Sequence, residues 1–167
     1  MTEAPTSLKD ELGKRDNFAA PEQEAHLSIV RTSHMLEAAQ NRLFKSFGLS
    51  MPGYNVLRIL RSAGSEGRTC SGIRDDLIAQ VPDVTRLLDR LERAGFVERR
   101  RSSEDRRVVF AHITEEGDRL LDRLADPVMR LHKELLGHME REELAQLSRL
   151  LFKARNPESG RSPHTDN

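Results

Sequence analysis

The chain has 167 residues, and its 27 basic and 27 acidic side chains give a formal net charge of zero. That total argues against a uniformly basic protein held on phosphates. Hydrophobic residues make up 37%, aromatics only 4% and tryptophan none, so the core must be aliphatic, mainly leucine. A chain of this length suits one domain and can bury roughly 70% of its unfolded surface.

The opening residues, Met1-Thr2-Glu3-Ala4-Pro5, carry neither a basic start nor an apolar run, so they do not read as a signal peptide. No stretch approaches the ~18 apolar residues of a membrane span. The single cysteine, Cys70, excludes an intramolecular disulfide framework. A soluble, cytoplasmic protein without membrane contacts is expected.

Residues 1–20 and 158–167 are polar and read as mobile tails. The first helix is expected from about Glu22 to Phe47, with Leu36, Ala39, Leu43 and Phe47 at helical spacing and Gly48 as its stop. Ser50 should cap a second helix through Ala63, with Pro52 in its first turn. After the loop Gly64–Gly67, Ser71 should cap a short third helix ending at Leu77 or Ile78.

The fourth helix has Pro82 for its first turn and Gly95 for its exit. Val84, Leu87, Leu88 and Leu91 form one apolar stripe. Arg86, Arg90 and Arg93 repeat at i, i+4 and i+7 on roughly the opposite side. Such a helix packs on one face and offers arginines on the other.

Beyond Gly95 the period changes. Residues 96–101 and 108–113 read as two strands around the polar loop Ser102-Ser103-Glu104-Asp105, a hairpin with an arginine-bearing tip. Thr114 and Glu116-Gly117 open a long helix that Pro127 should kink or break near Asp126. A last helix, about Arg141–Arg155, carries Leu144, Leu147, Leu151 and Ala154 at core spacing. The expected class is mainly α with a small β-hairpin.

The charge is not spread evenly. Between Arg99 and Arg107 five arginines face two acids, an excess of three over one hairpin. From Arg86 to Arg107 eight arginines face five acids, the same excess. A short helix, a helix with an arginine face and a basic hairpin follow in the order of a winged helix-turn-helix, whose second helix enters the major groove. The plain alternative is solvation, with Asp89 placed to pair with Arg86 or Arg93 on the helix surface.

Over about residues 25–156 the chain resembles the MarR family of bacterial transcriptional regulators. The resemblance is carried by Leu49-Ser50-Met51-Pro52 with Tyr54, Val56 and Leu57, and by the run Val84 to Arg99. Its most specific part is Asp105-Arg106-Arg107 followed by Ile113-Thr114, similar to the family's wing signature. Glu142-Glu143-Leu144 through Leu150-Leu151 is similar to the family's last helix.

The resemblance implies a homodimer, with residues 21–47 and 116–157 as dimerisation helices and 49–114 as the winged DNA-binding lobe of a single unit, 21–157. Its partner would be double-stranded DNA with inverted-repeat half-sites about one helical turn apart. Asp83, Thr85 and Arg86 become candidates for base edges, and Arg90 and Arg93 for phosphates. Arg107 would enter the minor groove, oriented by Asp105, with Arg99, Arg100, Arg101 and Arg106 on the DNA backbone. Two positions depart from the pattern. Val81 stands where many members carry a capping serine, and Gly53 where a capping-box acid or amide is usual.

Family members often respond to small aromatic or anionic effectors. Arg31, His34, Arg42 and Tyr54 are candidates to line such a pocket, against the plainer reading of an interhelical cluster. Redox sensing would fall to Cys70, although the family's peroxide sensors use a cysteine in the first helix and this one has none there. Metal sensing would draw on Glu24, His26, His34, His132 and His138, but no pair has the i, i+4 spacing of a compact helical site. No metal or cofactor is therefore expected. No nucleophile elbow, phosphate-binding loop, metalloprotease motif or dinucleotide fingerprint is present, so no enzyme activity is expected. The competing function is a helical adaptor whose arginines serve protein contacts.

Overall fold

The computed structural model of the chain describes residues 6–79, 81–103, 105 and 107–157. The chain divides into two compact units, Met1–Leu124 and Ala125–Asn167.

The first unit opens with a one-turn helix, α1 (Leu8–Glu11), whose N-cap Ser7 accepts from the Asp10 backbone N–H. A structureless tail over residues 1–20 is therefore not what residues 8–11 form. The local cap closes the turn, and Glu11 pairs with Arg31 at 2.7 Å. Helix α2 (Pro21–Ser46) matches its expected span, and Pro21 occupies its first turn. Of its 26 residues only Ala39 and Phe44 are buried.

Helix α3 (Met51–Ala63) starts at Ser50, whose hydroxyl accepts from the Gly53 N–H at 3.2 Å. Its face of Val56, Leu57 and Leu60 is completely buried. A 3-10 turn, Gly64–Glu66, leads into a two-residue strand, β1 (Arg68–Thr69), too short to leave an alternation in the sequence. Helix α4 (Cys70–Asp76) is capped by Thr69, which accepts from the Gly72 N–H at 3.1 Å, and not by Ser71. The hydroxyl that caps a helix is the last residue still extended, and Thr69 has that backbone (φ −74°, ψ 161°).

Helix α5 (Val84–Arg93) follows, then β2 (Val97–Arg101) and β3 (Val109–Ile113). The sheet is antiparallel in the order β1-β3-β2. Val97 pairs with Ile113 and Arg101 with Val109 in β2–β3; Arg68 pairs with Ala111 in β1–β3. The sheet, α3, α4 and α5 enclose one aliphatic core of Leu57, Leu60, Ile73, Val84, Leu88, Val97 and Ala111. Each such leucine contributes about 1.5–3 kcal/mol through its buried side chain. The start of α6 (Glu115–Leu136) adds Leu120, Leu121 and Leu124 to the buried set.

Helix α6 continues through Pro127 without ending. The missing proline N–H leaves one carbonyl of the preceding turn without its helical donor, but the helix is not broken there.

In the second unit, α7 (Arg141–Arg155) begins with a reciprocal capping box between Glu140 and Glu143. None of its residues is buried, although its leucines have core spacing. Leu150 and Phe152 are 56% and 57% exposed. No described helix is long and apolar enough to cross a membrane.

Leu60→Ala should lower the unfolding free energy by about 2–5 kcal/mol, because truncating a fully buried leucine leaves a cavity that its surroundings fill only in part. Chemical denaturation of both proteins measures it, as a lower midpoint at unchanged slope.

Candidate nucleic-acid interface

Helix α5 fulfils its two-faced pattern. Val84, Leu87, Leu88 and Leu91 are buried, while Thr85, Arg86, Arg90 and Arg93 are exposed. The N-cap is Asp83, whose carboxylate accepts from the Arg86 N–H at 2.9 Å. This supplies the cap that Val81 does not, and it places a negative charge at the positive end of the helix dipole. Pro82 consequently lies before the cap and not in the first turn. Asp83, a base-edge candidate, has its carboxylate engaged in holding the helix start.

Val81, Pro82, Asp83, Arg86, Arg90 and Arg93 border one shallow concavity, so the helix start and the arginine stripe share a surface. Arg93 folds back and donates from Nε to the Asp89 carbonyl at 3.1 Å. Arg86 and Arg90 have no acidic partner among the described residues.

The wing arginines fall into two groups. Arg99 turns back onto α5: its Nη1 lies 2.6 Å from Asp89 Oδ1 and 3.3 Å from Glu92 Oε2, and its Nη2 donates to the Thr85 carbonyl at 3.2 Å. Only 26% of its side chain is exposed. The Asp89 carboxylate therefore serves the wing, while Arg93 on its own helix reaches only the Asp89 carbonyl. Arg99, a DNA-backbone candidate, spends its guanidinium in joining β2 to α5. Arg100 pairs with Glu98, whereas Arg101 is exposed with no acidic partner among the described residues.

Arg107 stands out into solvent with 91% of its side chain exposed. Asp105 holds its fork from one side, accepting from Nε and from Nη2 at 3.2 Å each, and from the Arg107 backbone N–H at 2.9 Å. The guanidinium holds the Asp105 carboxyl below its usual range, first through the side-chain hydrogen bonds and then through the backbone one. The pair lies at the loop that returns the chain into β3, closed by Ser102 N–H to the Val108 carbonyl at 2.9 Å. Arg106 lies outside the described residues.

Outside this surface lie the four effector-pocket candidates. Arg31 pairs with Glu11, and its concavity is lined by Thr32 and Met35. His34 and Arg42 are exposed on α2. Tyr54 is buried, its ring stacked on Phe44 at 4.6 Å and its hydroxyl accepting from Arg58 at 3.2 Å. Cys70 is half-buried, its Sγ 4.0 Å from Thr85 Oγ1. Among the described residues no group of three His, Cys, Asp or Glu side chains is placed to hold a metal ion.

The comparisons with known proteins bear on this surface directly. The model of the MarR family matches residues 49–109, which run from α3 through the wing. The transcriptional regulator PecS of Dickeya dadantii is 30% identical over 125 residues, covering 74% of this chain and 75% of that protein. The chain belongs to the MarR family. The crystal structure of a MarR transcription factor from Planctomyces limnophilus is 42% identical, with a TM-score of 0.65 over 81% of this chain and 98% of that one. A mutant MarR from Escherichia coli, solved in complex with operator DNA, is 25% identical with a TM-score of 0.71, covering 89% and 99%. The chain is a DNA-binding transcriptional regulator with a winged helix fold, and the α5–wing surface is its nucleic-acid candidate.

Asp83 offers a clean separation of capping from base readout. Asp83→Ala should cost about 1 kcal/mol of stability, and Asp83→Ser should restore most of it, since serine caps as well. Thermal melts read the cap, and operator titrations with both variants should follow the same order. Loss of operator affinity in Asp83→Ser with stability intact would mark a base contact instead.

Proposed function

We propose that this MarR-family regulator acts in the cytoplasm as a homodimer that represses transcription by occupying inverted-repeat operator DNA. The observation that carries the dimer is the apolar surface left open on the terminal helices. Leu27, Ile29, Val30 and Met35 of α2, Met129 of α6, and Leu150 and Phe152 of α7 are all exposed. Single exposed leucines are ordinary, but α2 buries only Ala39 and Phe44 and α7 buries none of its residues, which leaves apolar faces for a partner to cover. A second copy supplies one with the same apolar chemistry, and closed two-fold symmetry is the commonest form of assembly. Residues 21–47 and 116–157 then form the dimerisation helices and 49–114 the winged lobe.

On the operator, Thr85 and Arg86 face base edges, with arginine to guanine as the favoured pair. Arg90, Arg93, Arg100 and Arg101 hold phosphates, and Arg107 enters the minor groove with Asp105 fixing its fork. Arg99 and Asp83 act through the shape of the interface. A small anionic or aromatic effector would weaken operator binding by changing the separation of the two lobes, with Arg31, His34, Arg42 and Tyr54 as its candidate surroundings.

Two outcomes test this. Leu150→Asp with Phe152→Asp should yield a monomer at micromolar concentration by light scattering, with operator affinity falling by at least about tenfold. A persistent dimer refutes the assigned interface. Arg107→Ala should reduce the slope of log affinity against log salt by about one and weaken binding by a few kcal/mol at most. An unchanged salt slope removes Arg107 from the DNA.

A further inference from the structure

Outside the DNA surface, Arg61 joins two elements that are far apart in sequence. It lies near the C-terminal end of α3, one residue past the fully buried Leu60. Its Nε donates to Asp118 Oδ1 at 2.5 Å, and its Nη2 donates to Asp122 Oδ1 at 2.5 Å and to the Asp118 carbonyl at 3.0 Å. Asp118 and Asp122 are four residues apart and so share one face of α6. A planar guanidinium can span two carboxylates one turn apart and still reach a carbonyl; a lysine ammonium cannot reproduce that fork. Arg61 holds the Asp118 carboxyl below its usual range.

The start of α6 is fixed at a second point. Thr114 donates from its hydroxyl to the Gly95 carbonyl at 2.7 Å and from its N–H to the Phe96 carbonyl at 3.1 Å. Gly117 packs so closely that a Cβ there would collide with the Phe96 carbonyl oxygen. One fixed point leaves a helix free to swing. The buried Leu120, Leu121 and Leu124 resist separation, but apolar contact is non-directional. Arg61 supplies the second, directional point.

The consequence grows with length. Within the first unit α6 runs from Glu115 to Leu124, about 15 Å. A swing of about 10° at its start displaces Leu124 by about 3 Å, close to one base-pair step. We propose that Arg61 is a positioning residue for operator binding: by joining α3 to the first turns of α6 it sets the direction in which α6 leaves the winged lobe, and so the half-site spacing a dimer accepts. This rests on the dimeric reading above.

The test uses the full chain and a half-site taken from DNA fragments that the wild type itself selects. Inverted repeats of that half-site are built with spacers changed one base pair at a time. Wild type should lose about tenfold or more in affinity two base pairs from its optimum. Arg61→Gln, confirmed by light scattering as a folded dimer, should flatten that profile to within about threefold or move its optimum, with its salt slope unchanged. Arg61→Lys should fall between. A folded dimeric Arg61→Gln with the wild-type profile overturns the proposal. Should Arg61→Gln fail to fold, Asp122→Ala carries the test, since it removes the second carboxylate of the fork from an exposed position; a wild-type profile there overturns the proposal equally. A wild type that is itself indifferent to spacing overturns the symmetric-operator reading and the proposal with it, and the flat parent profile tells that failure from the first.

Discussion

Ten residues of α5 must satisfy two environments at once. Val84, Leu87, Leu88 and Leu91 are driven out of water, and the helical period then leaves Arg86, Arg90 and Arg93 nowhere to go but solvent. Burial of four apolar side chains is worth several kcal/mol, whereas an exposed arginine gains little from any single surface pair. The core therefore dictates which way the cations point. Everything else in the winged lobe refines that orientation. Asp83 fixes where the helix begins, Gly95, with φ at 78°, lets the chain turn off its end, and β2 starts two residues later.

Neutrality of the whole chain follows from how acids are allotted, and it does not weaken the case for DNA. Asp89 and Glu92 are spent on Arg99, and Glu98 on Arg100. Each of these pairs joins strand to helix or stiffens the strand. Arg86, Arg90 and Arg101 keep an uncompensated charge among the described residues, and Arg107 is held by Asp105 while remaining almost wholly exposed. Pairing of this kind lowers the non-specific attraction to phosphates and keeps the specific geometry. A regulator built so should bind bulk DNA modestly and with strong salt dependence, and should discriminate through a few placed arginines.

Features legible in the sequence are those set by neighbours along the chain. The span of α2, the Ser50 cap, both stripes of α5 and the hairpin all follow from local period and turn chemistry. The displaced cap of α4 is a local error of two residues, between two hydroxyls in a row of candidates. Features that were not legible depend on proximity in space. Arg99 stands first in a run of three arginines, and nothing in that run marks it as the one that turns back ten residues to Asp89. Arg61 meets Asp118 across 57 positions, a separation that no helical spacing rule reaches. Strand β1 exists only because β3 offers it an edge at Ala111 and Phe110.

The apolar stripes of the terminal helices were legible as stripes but not as to what covers them. Leu144, Leu147 and Leu151 have the spacing of a core, yet α7 buries none of its residues within its own chain. A period of 3.6 records that a face is to be kept from water; it does not record whose surface does the keeping. The same limit applies to charge. An arginine stripe states that a face is cationic, and only the distribution of carboxylates around it in three dimensions decides which cations remain for an outside anion. In this lobe both are decided on α5, whose apolar face the chain covers itself and whose cationic face it leaves open.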